Sequence, residues 1–122
     1  MDKSTTIELI DFILESIRLI NRRFKSVKSS DDFLDSDEGL DKLDAISMRI
    51  QAIGEALKNL YKREDELLLK VADKNYWSRI IKTRDFISHH YVDIDSETVF
   101  DICSNELKDM EIKVGEIKDF LK

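Results

Sequence analysis

The 122-residue chain has no proline, three glycines and one cysteine, and each scarcity removes a class of protein. Turns draw most heavily on glycine and proline. A sandwich or barrel needs a turn about every 8–12 residues, which this composition does not support. A lone cysteine, Cys103, closes no internal disulfide, so a small secreted disulfide framework is excluded. No uncharged apolar run approaches the ~18 residues that suggest a membrane span. The opening MDKSTTIELIDFILES places acids inside its apolar stretch, unlike a secretory signal, so a cytoplasmic location is expected. What is abundant is charge. Twenty Lys and Arg against twenty-six Asp and Glu give a net charge of −6, opposite in sign to the usual nucleic-acid footprint. With 42% hydrophobic residues the chain suits a folded helical globule rather than a disordered segment.

The length fits one domain, 1–122. The first helix is expected near Thr5, because Thr5 with Glu8 three residues on has the form of a capping box. Ile7, Ile10, Leu14, Ile17 and Phe24 follow at helical spacing, with Phe12, Ile13, Leu19 and Ile20 widening the stripe. Arg18, Arg22, Arg23, Lys25 and Lys28 gather near its end, where cations suit the helix dipole. The polar stretch 26–38 (SVKSSDDFLDSDE) reads as a loop. Leu43, Ile46, Ile50, Ile53, Leu57 and Leu60 then recur at alternating spacings of three and four, the seam of an antiparallel bundle. Gly54 beside that seam implies a closely approaching neighbour, since a mid-helix glycine costs about 1 kcal/mol. A short helix over 64–72, a turn over 73–76 and a helix opening at Trp77 come next. A last helix starts after Asp95 or Ser96 and buries Val99, Cys103, Leu107, Met110, Val114, Ile117 and Leu121. The expected fold is all-α: an up-and-down four-helix bundle with one additional short helix.

Both histidines fall in one segment, Arg84-Asp85-Phe86-Ile87-Ser88-His89-His90-Tyr91. At 100° per residue, Arg84 and Tyr91 lie within about 20° of each other on a helix, with Ser88 between them. Asp85 and His89 are one turn apart, so Asp85 is placed to orient the imidazole. RNA cleavage without a metal needs a base for the ribose 2′-hydroxyl, and histidine titrates in the right range. It also needs a fixed cation at the phosphate, which arginine supplies with planar, paired donors. The plainer alternative is a histidine that merely complements a helix C-terminus. Other candidates are weaker. Glu-x-x-His pairs for a di-metal bundle are absent. Glycine-rich phosphate loops are absent too, so no cofactor is expected. Cys103 reads as core. Trp77 reads as an anchor, with base stacking as the rival. Glu55 either faces solvent or supports the Arg84 region. The Arg18–Lys25 cluster is a solvated helix end or a contact for RNA backbone. A local cationic site around Arg79, Lys82 and Arg84 would reconcile the acidic average with a phosphate substrate.

Arg84, His89 and Tyr91 reproduce the Arg-x4-His-x-Tyr motif, and the chain resembles the HEPN superfamily in its HepT-type toxin form. Trp77-Ser78-Arg79-Ile80-Ile81 is similar to that family's lead-in to the motif. Residues 49–58 (RIQAIGEALK) resemble its Ile-Gly-Glu-Ala segment, and Val92-Asp93-Ile94-Asp95 with Val99 and Phe100 resembles its link into the last helix. The similarity runs from about Ile7 to Leu121. It implies a homodimeric, metal-independent endoribonuclease, with Arg84 and His89 as the catalytic pair and Asp85 and Ser88 in support. It also implies a type VII toxin–antitoxin pair. There, an MntA-like nucleotidyltransferase antitoxin transfers AMP to the motif tyrosine, Tyr91. RNA would be the substrate; neither DNA nor a membrane is expected as a partner. A non-catalytic module that docks a nucleotidyltransferase is the alternative. Two departures stand out: Asp85 follows Arg84 where the family often has Asn, and the family's proline before the tryptophan is missing. His90, between His89 and Tyr91, reads as a bystander.

Overall fold

The computed structural model describes residues 3–89 and 95–121, with the backbone alone for 84–89. Helix α1 spans Lys3–Phe24. It starts two residues before Thr5, so the expected capping box at Thr5 lies inside the helix instead of at its start. Its buried face is Thr6, Ile10, Ile13, Ser16, Ile17 and Ile20. Phe12, expected to widen the apolar stripe, faces outward at 40% exposure.

The segment expected to be a loop contains a 3-10 turn, Ser30–Phe33. The Asp32 carboxylate folds back to accept from the backbone N–H of Lys28 at 2.7 Å and of Ser29 at 3.3 Å. That closure drives Phe33 into the core, where its ring meets Phe24, which in turn packs on Phe100. Helix α2, Asp37–Leu69, begins at Ser36, whose hydroxyl accepts from the N–H of Gly39 at 3.0 Å. This N-cap satisfies one of the free donors of the first turn, and Asp37 and Glu38 complement the dipole. Gly39 sits at a close approach, since a Cβ there would collide with the carbonyl oxygen of Asp32.

All six seam residues of α2, from Leu43 to Leu60, are buried. The seam packs α2 against α1 on one side and against α3, Lys74–His89, on the other. The short helix expected from residue 64 is present as the last part of α2, set off from the rest by a kink at Glu64, whose φ −134° and ψ 41° are non-helical, and it ends at Leu69 instead of 72. Trp77 does not open α3. Asp73 caps it, accepting from the N–H of Tyr76 at 2.8 Å, so the helix begins one turn earlier.

Asp95 caps α4, Ser96–Asp101, by accepting from the N–H groups of Glu97 and Thr98. A π-helical turn, Ile102–Glu106, carries the chain into α5, Leu107–Asp119. Apart from Leu121, which is half-buried, every residue expected on the buried face of this last rod is buried. The rod lies against α1, where Lys118 pairs with Asp11 at 2.7 Å. The molecule is an all-α bundle of four helical rods, α1, α2, α3 and α4–α5, and no strand occurs among the described residues. The fold class read from the sequence holds.

Candidate functional site at the end of helix α3

The segment singled out in the sequence is the C-terminal end of α3. The backbone is helical through Arg84, Asp85, Ser88 and His89, so all four share one helix within about a turn and a half. His90 and Tyr91 lie outside the described residues.

What can be followed side chain by side chain is how α3 is seated. Trp77 is fully buried, and its indole Nε1–H donates to the carbonyls of Leu68 at 3.0 Å and Ala72 at 3.2 Å. Leu68 is in the last turn of α2 and Ala72 in the turn that follows; the Leu68 carbonyl also accepts from the N–H groups of Val71 and Ala72, so the indole joins the knot that closes that helix. Trp77 is therefore an anchor between two helices, and the base-stacking alternative falls away. On the opposite flank α3 meets the last rod through two polar rungs. The Tyr76 hydroxyl donates to Asp109 at 2.8 Å, and Arg79 Nη1 donates to Glu106 at 3.2 Å. Tyr76 and Arg79 are three residues apart, as are Glu106 and Asp109, and the pairing runs in reverse order. The rungs therefore fix α3 antiparallel to α5. The Arg79 guanidinium also lies over the Tyr76 ring, 5.7 Å from its centroid.

These rungs change the charge picture. Burial, reinforced by the hydrogen bond to Asp109, pushes the Tyr76 phenol well above its ordinary range, so it stays a neutral donor. Arg79 is committed to Glu106. The cationic site expected around Arg79, Lys82 and Arg84 thus draws less from Arg79 than its sequence position implied, while Lys82 is exposed with no ion pair among the described residues. Beneath α3, a small cavity is lined by Gly54, Ile80, Thr83, Ile102, Glu106 and Met110, among others. At ≈20 Å³ it has room for about one water, far too little for a nucleotide.

A family model described as Ribonuclease HepT-like matches residues 13–117, which takes in all of α2, α3 and α4. The chain belongs to the HepT-like ribonuclease family. No curated protein and no solved structure matches it. The Arg-x4-His pattern thus sits inside the matched stretch of a HepT-like chain, on a helix whose seating is defined by Trp77, Tyr76 and Arg79.

The remaining candidates sort themselves by burial. Cys103 is buried in the core and its thiol is pushed up to about 12 by burial, so at neutral pH it is no nucleophile. Glu55 is exposed on α2; the Arg84 side chain that it was expected either to support or to leave alone lies outside the described residues. Among the described residues, no group of three His, Cys, Asp or Glu is arranged to hold a metal ion, and no helix is long and apolar enough to cross a membrane. Sequence reasoning missed Tyr76, Glu106 and Asp109. Their signal was present, though faint: an i, i+3 pair of donors on one helix and an i, i+3 pair of acids on another.

Proposed function

We propose that this HepT-like chain is a metal-independent endoribonuclease and the toxin of a type VII toxin–antitoxin pair. One observation carries the reading: the Arg84-x4-His89-x-Tyr91 sequence pattern falls within the family match, and its Arg84 and His89 lie in the last turns of the anchored helix α3. In the reaction, the ribose 2′-oxygen attacks the adjacent phosphorus and the bond to the 5′-oxygen breaks. The products are a 2′,3′-cyclic phosphate and a free 5′-hydroxyl. His89 takes the 2′ proton or delivers one to the leaving oxygen. Arg84 meets the charge that builds on the phosphoryl oxygens. Asp85, one turn before His89, orients the ring, and Ser88 is a further polar group beside them. Two chains related by a two-fold axis would bring two such sets into one cleft, which is why a homodimer belongs to the proposal.

Neutralisation follows from Tyr91. A nucleotidyltransferase of the MntA kind would present ATP. The Tyr91 phenol oxygen would attack the α-phosphorus, the bond to the bridging oxygen would break and pyrophosphate would leave. The AMP then occupies the anion site that Arg84 would offer to RNA. This chain itself needs no cofactor. RNA and ATP coexist in the cytoplasm, which is where the pair would act.

The test is expression of wild type and His89→Ala in a host without the partner. Arrested growth and degraded RNA in the wild type alone are expected; equal growth and intact RNA in both strains would overturn the toxin reading and leave a non-catalytic docking module in its place. For the modification, the intact mass of the wild type should rise by one AMP after incubation with the partner and ATP. The mass of Tyr91→Phe should not change.

A further inference from the structure

A second cluster of arginines lies away from α3, on the face shared by α1 and α2. Arg23 and Arg49 line one surface depression together with Ala45, Met48 and Ala52. Arg49 is held in place from beneath: its Nη1 donates to the buried Ser16 hydroxyl at 3.2 Å, and its guanidinium lies over the Phe12 ring at 5.9 Å. Arg23 Nη1 is buried and has no hydrogen-bond partner among the described residues. A buried donor left unpaired is uncommon and calls for an acceptor. Arg22 and Arg18 extend the cluster along α1, both exposed. Glu15, on the same helix, is bound bidentately by Arg18, whose hydrogen bonds hold its carboxyl below the usual range. Arg22, Arg23 and Arg49 form no ion pair among the described residues. In a chain of net charge −6, one carboxylate, Glu15, acts on Arg18, Arg49 and Arg22 together, so the face keeps an excess of positive charge.

We propose that the Arg23–Arg49 depression binds a backbone phosphate of single-stranded RNA, acting as an exosite that holds the substrate at a distance from the α3 motif. The chemistry fits phosphate in particular. Guanidinium groups offer paired donors to its oxygens, and exposed Met48 and Phe12 give a neighbouring base or ribose an apolar surface. The choice of RNA as the source of that phosphate rests on the ribonuclease reading above. The site itself rests on the arginine geometry.

The experiment measures binding, not cleavage. A 5′-fluorescein-labelled 20-nucleotide poly(U) RNA is titrated by anisotropy with His89→Ala protein, which cannot consume the probe. Adding Arg23→Gln should weaken binding about five- to tenfold. It should also lower the slope of log K against log salt by about 0.7, the value for one fewer neutralised phosphate on a single strand. Lys108→Gln, which removes an exposed cation on α5, should stay within twofold. Arg49→Gln also loses the Ser16 bond, so its melting curve is taken alongside. If either Arg23→Gln or Arg49→Gln fails to fold, Arg22→Gln on the exposed rim decides the matter, with a loss of about twofold or more expected. Binding within twofold of the parent in the folded variants would overturn the proposal. So would competition by polyglutamate equal to that of unlabelled RNA, which would assign the face to an acidic protein. A shift from dimer to monomer accompanying the loss would overturn it too, assigning the face to a second copy of this chain. The ribonuclease reading is judged separately. Wild type that cuts RNA with Arg23-independent binding defeats only the exosite, and wild type that binds through Arg23 without cutting defeats only the enzyme.

Discussion

The α1–α2 half of the bundle and the motif helix α3 are held by different kinds of interaction. Between α1 and α2, contact is dominated by aliphatic side chains at helical period: Ile10, Ile13, Ile17 and Ile20 against Leu43, Ile46, Ile50 and Ile53. Helix α3 contributes fewer buried side chains in its described part, Trp77 and Ile80. It adds directional bonds: the indole to two carbonyls, and the Tyr76 and Arg79 rungs to the last rod. Hydrophobic burial is non-directional and holds a seam together. Hydrogen bonds fix register, and register is what the proposed role of α3 would require.

The comparison can be broken hardest at the motif itself. His89→Ala should reduce RNA cleavage by about 10²–10⁴-fold, the range of general acid–base catalysis, with an unchanged melting temperature. On the other side, Leu57→Ala, at a fully buried position of the seam, should cost about 2–5 kcal/mol in urea unfolding while leaving the activity per folded molecule intact. Gly39→Ala sharpens the picture of the seam's entrance. Its added methyl meets the Asp32 carbonyl, and a loss of about 1–3 kcal/mol is expected from the forced shift; a neutral outcome would mean that the 3-10 turn yields freely.

The rungs of α3 give the smaller effects. Tyr76 is raised in the folded state, so its contribution to stability is fully present below the unfolded tyrosine pKa of about 10. It is lost as pH rises through the folded value. Wild type should therefore lose stability in strongly alkaline solution more steeply than Tyr76→Phe, as followed by melting temperature against pH. Arg79→Ala removes a largely exposed pair and should cost no more than about 1 kcal/mol, less at high salt. If it instead alters cleavage far more than stability, the rung positions the motif helix and does not merely decorate it.

Legibility followed the same divide. The seam of α2 was readable because Leu43 to Leu60 repeat without interruption, and the last rod because Val99 to Ile117 do the same. The break at Glu64 was readable, because the seam stops after Leu60, and the structure kinks at that residue. Phe33 was hidden because a single aromatic among acids and serines has no period; only the Asp32 turn carries it inward. At the motif, the residue types and spacing of Arg84, Asp85 and His89 were plain in the sequence, and the family match embraces them. The Tyr76–Asp109 and Arg79–Glu106 contacts span 33 and 27 residues, a separation at which single-chain patterns carry little signal. The arginines of α1 and α2 were half legible. Their charge was visible, but Arg49 as the partner that turns a helix end into a pocket was not.

Trp77 is the chain's one tryptophan, and it lies at the foot of the helix that bears the motif. That makes the protein its own fluorescent reporter. Excitation at the indole band samples a single site, shielded from water and bonded to the end of α2. Any event that lifts α3 from its seat, whether heat, denaturant or a partner prying at the motif, should shift the emission to longer wavelength without a label. A ligand that binds while α3 stays seated should leave the spectrum almost still.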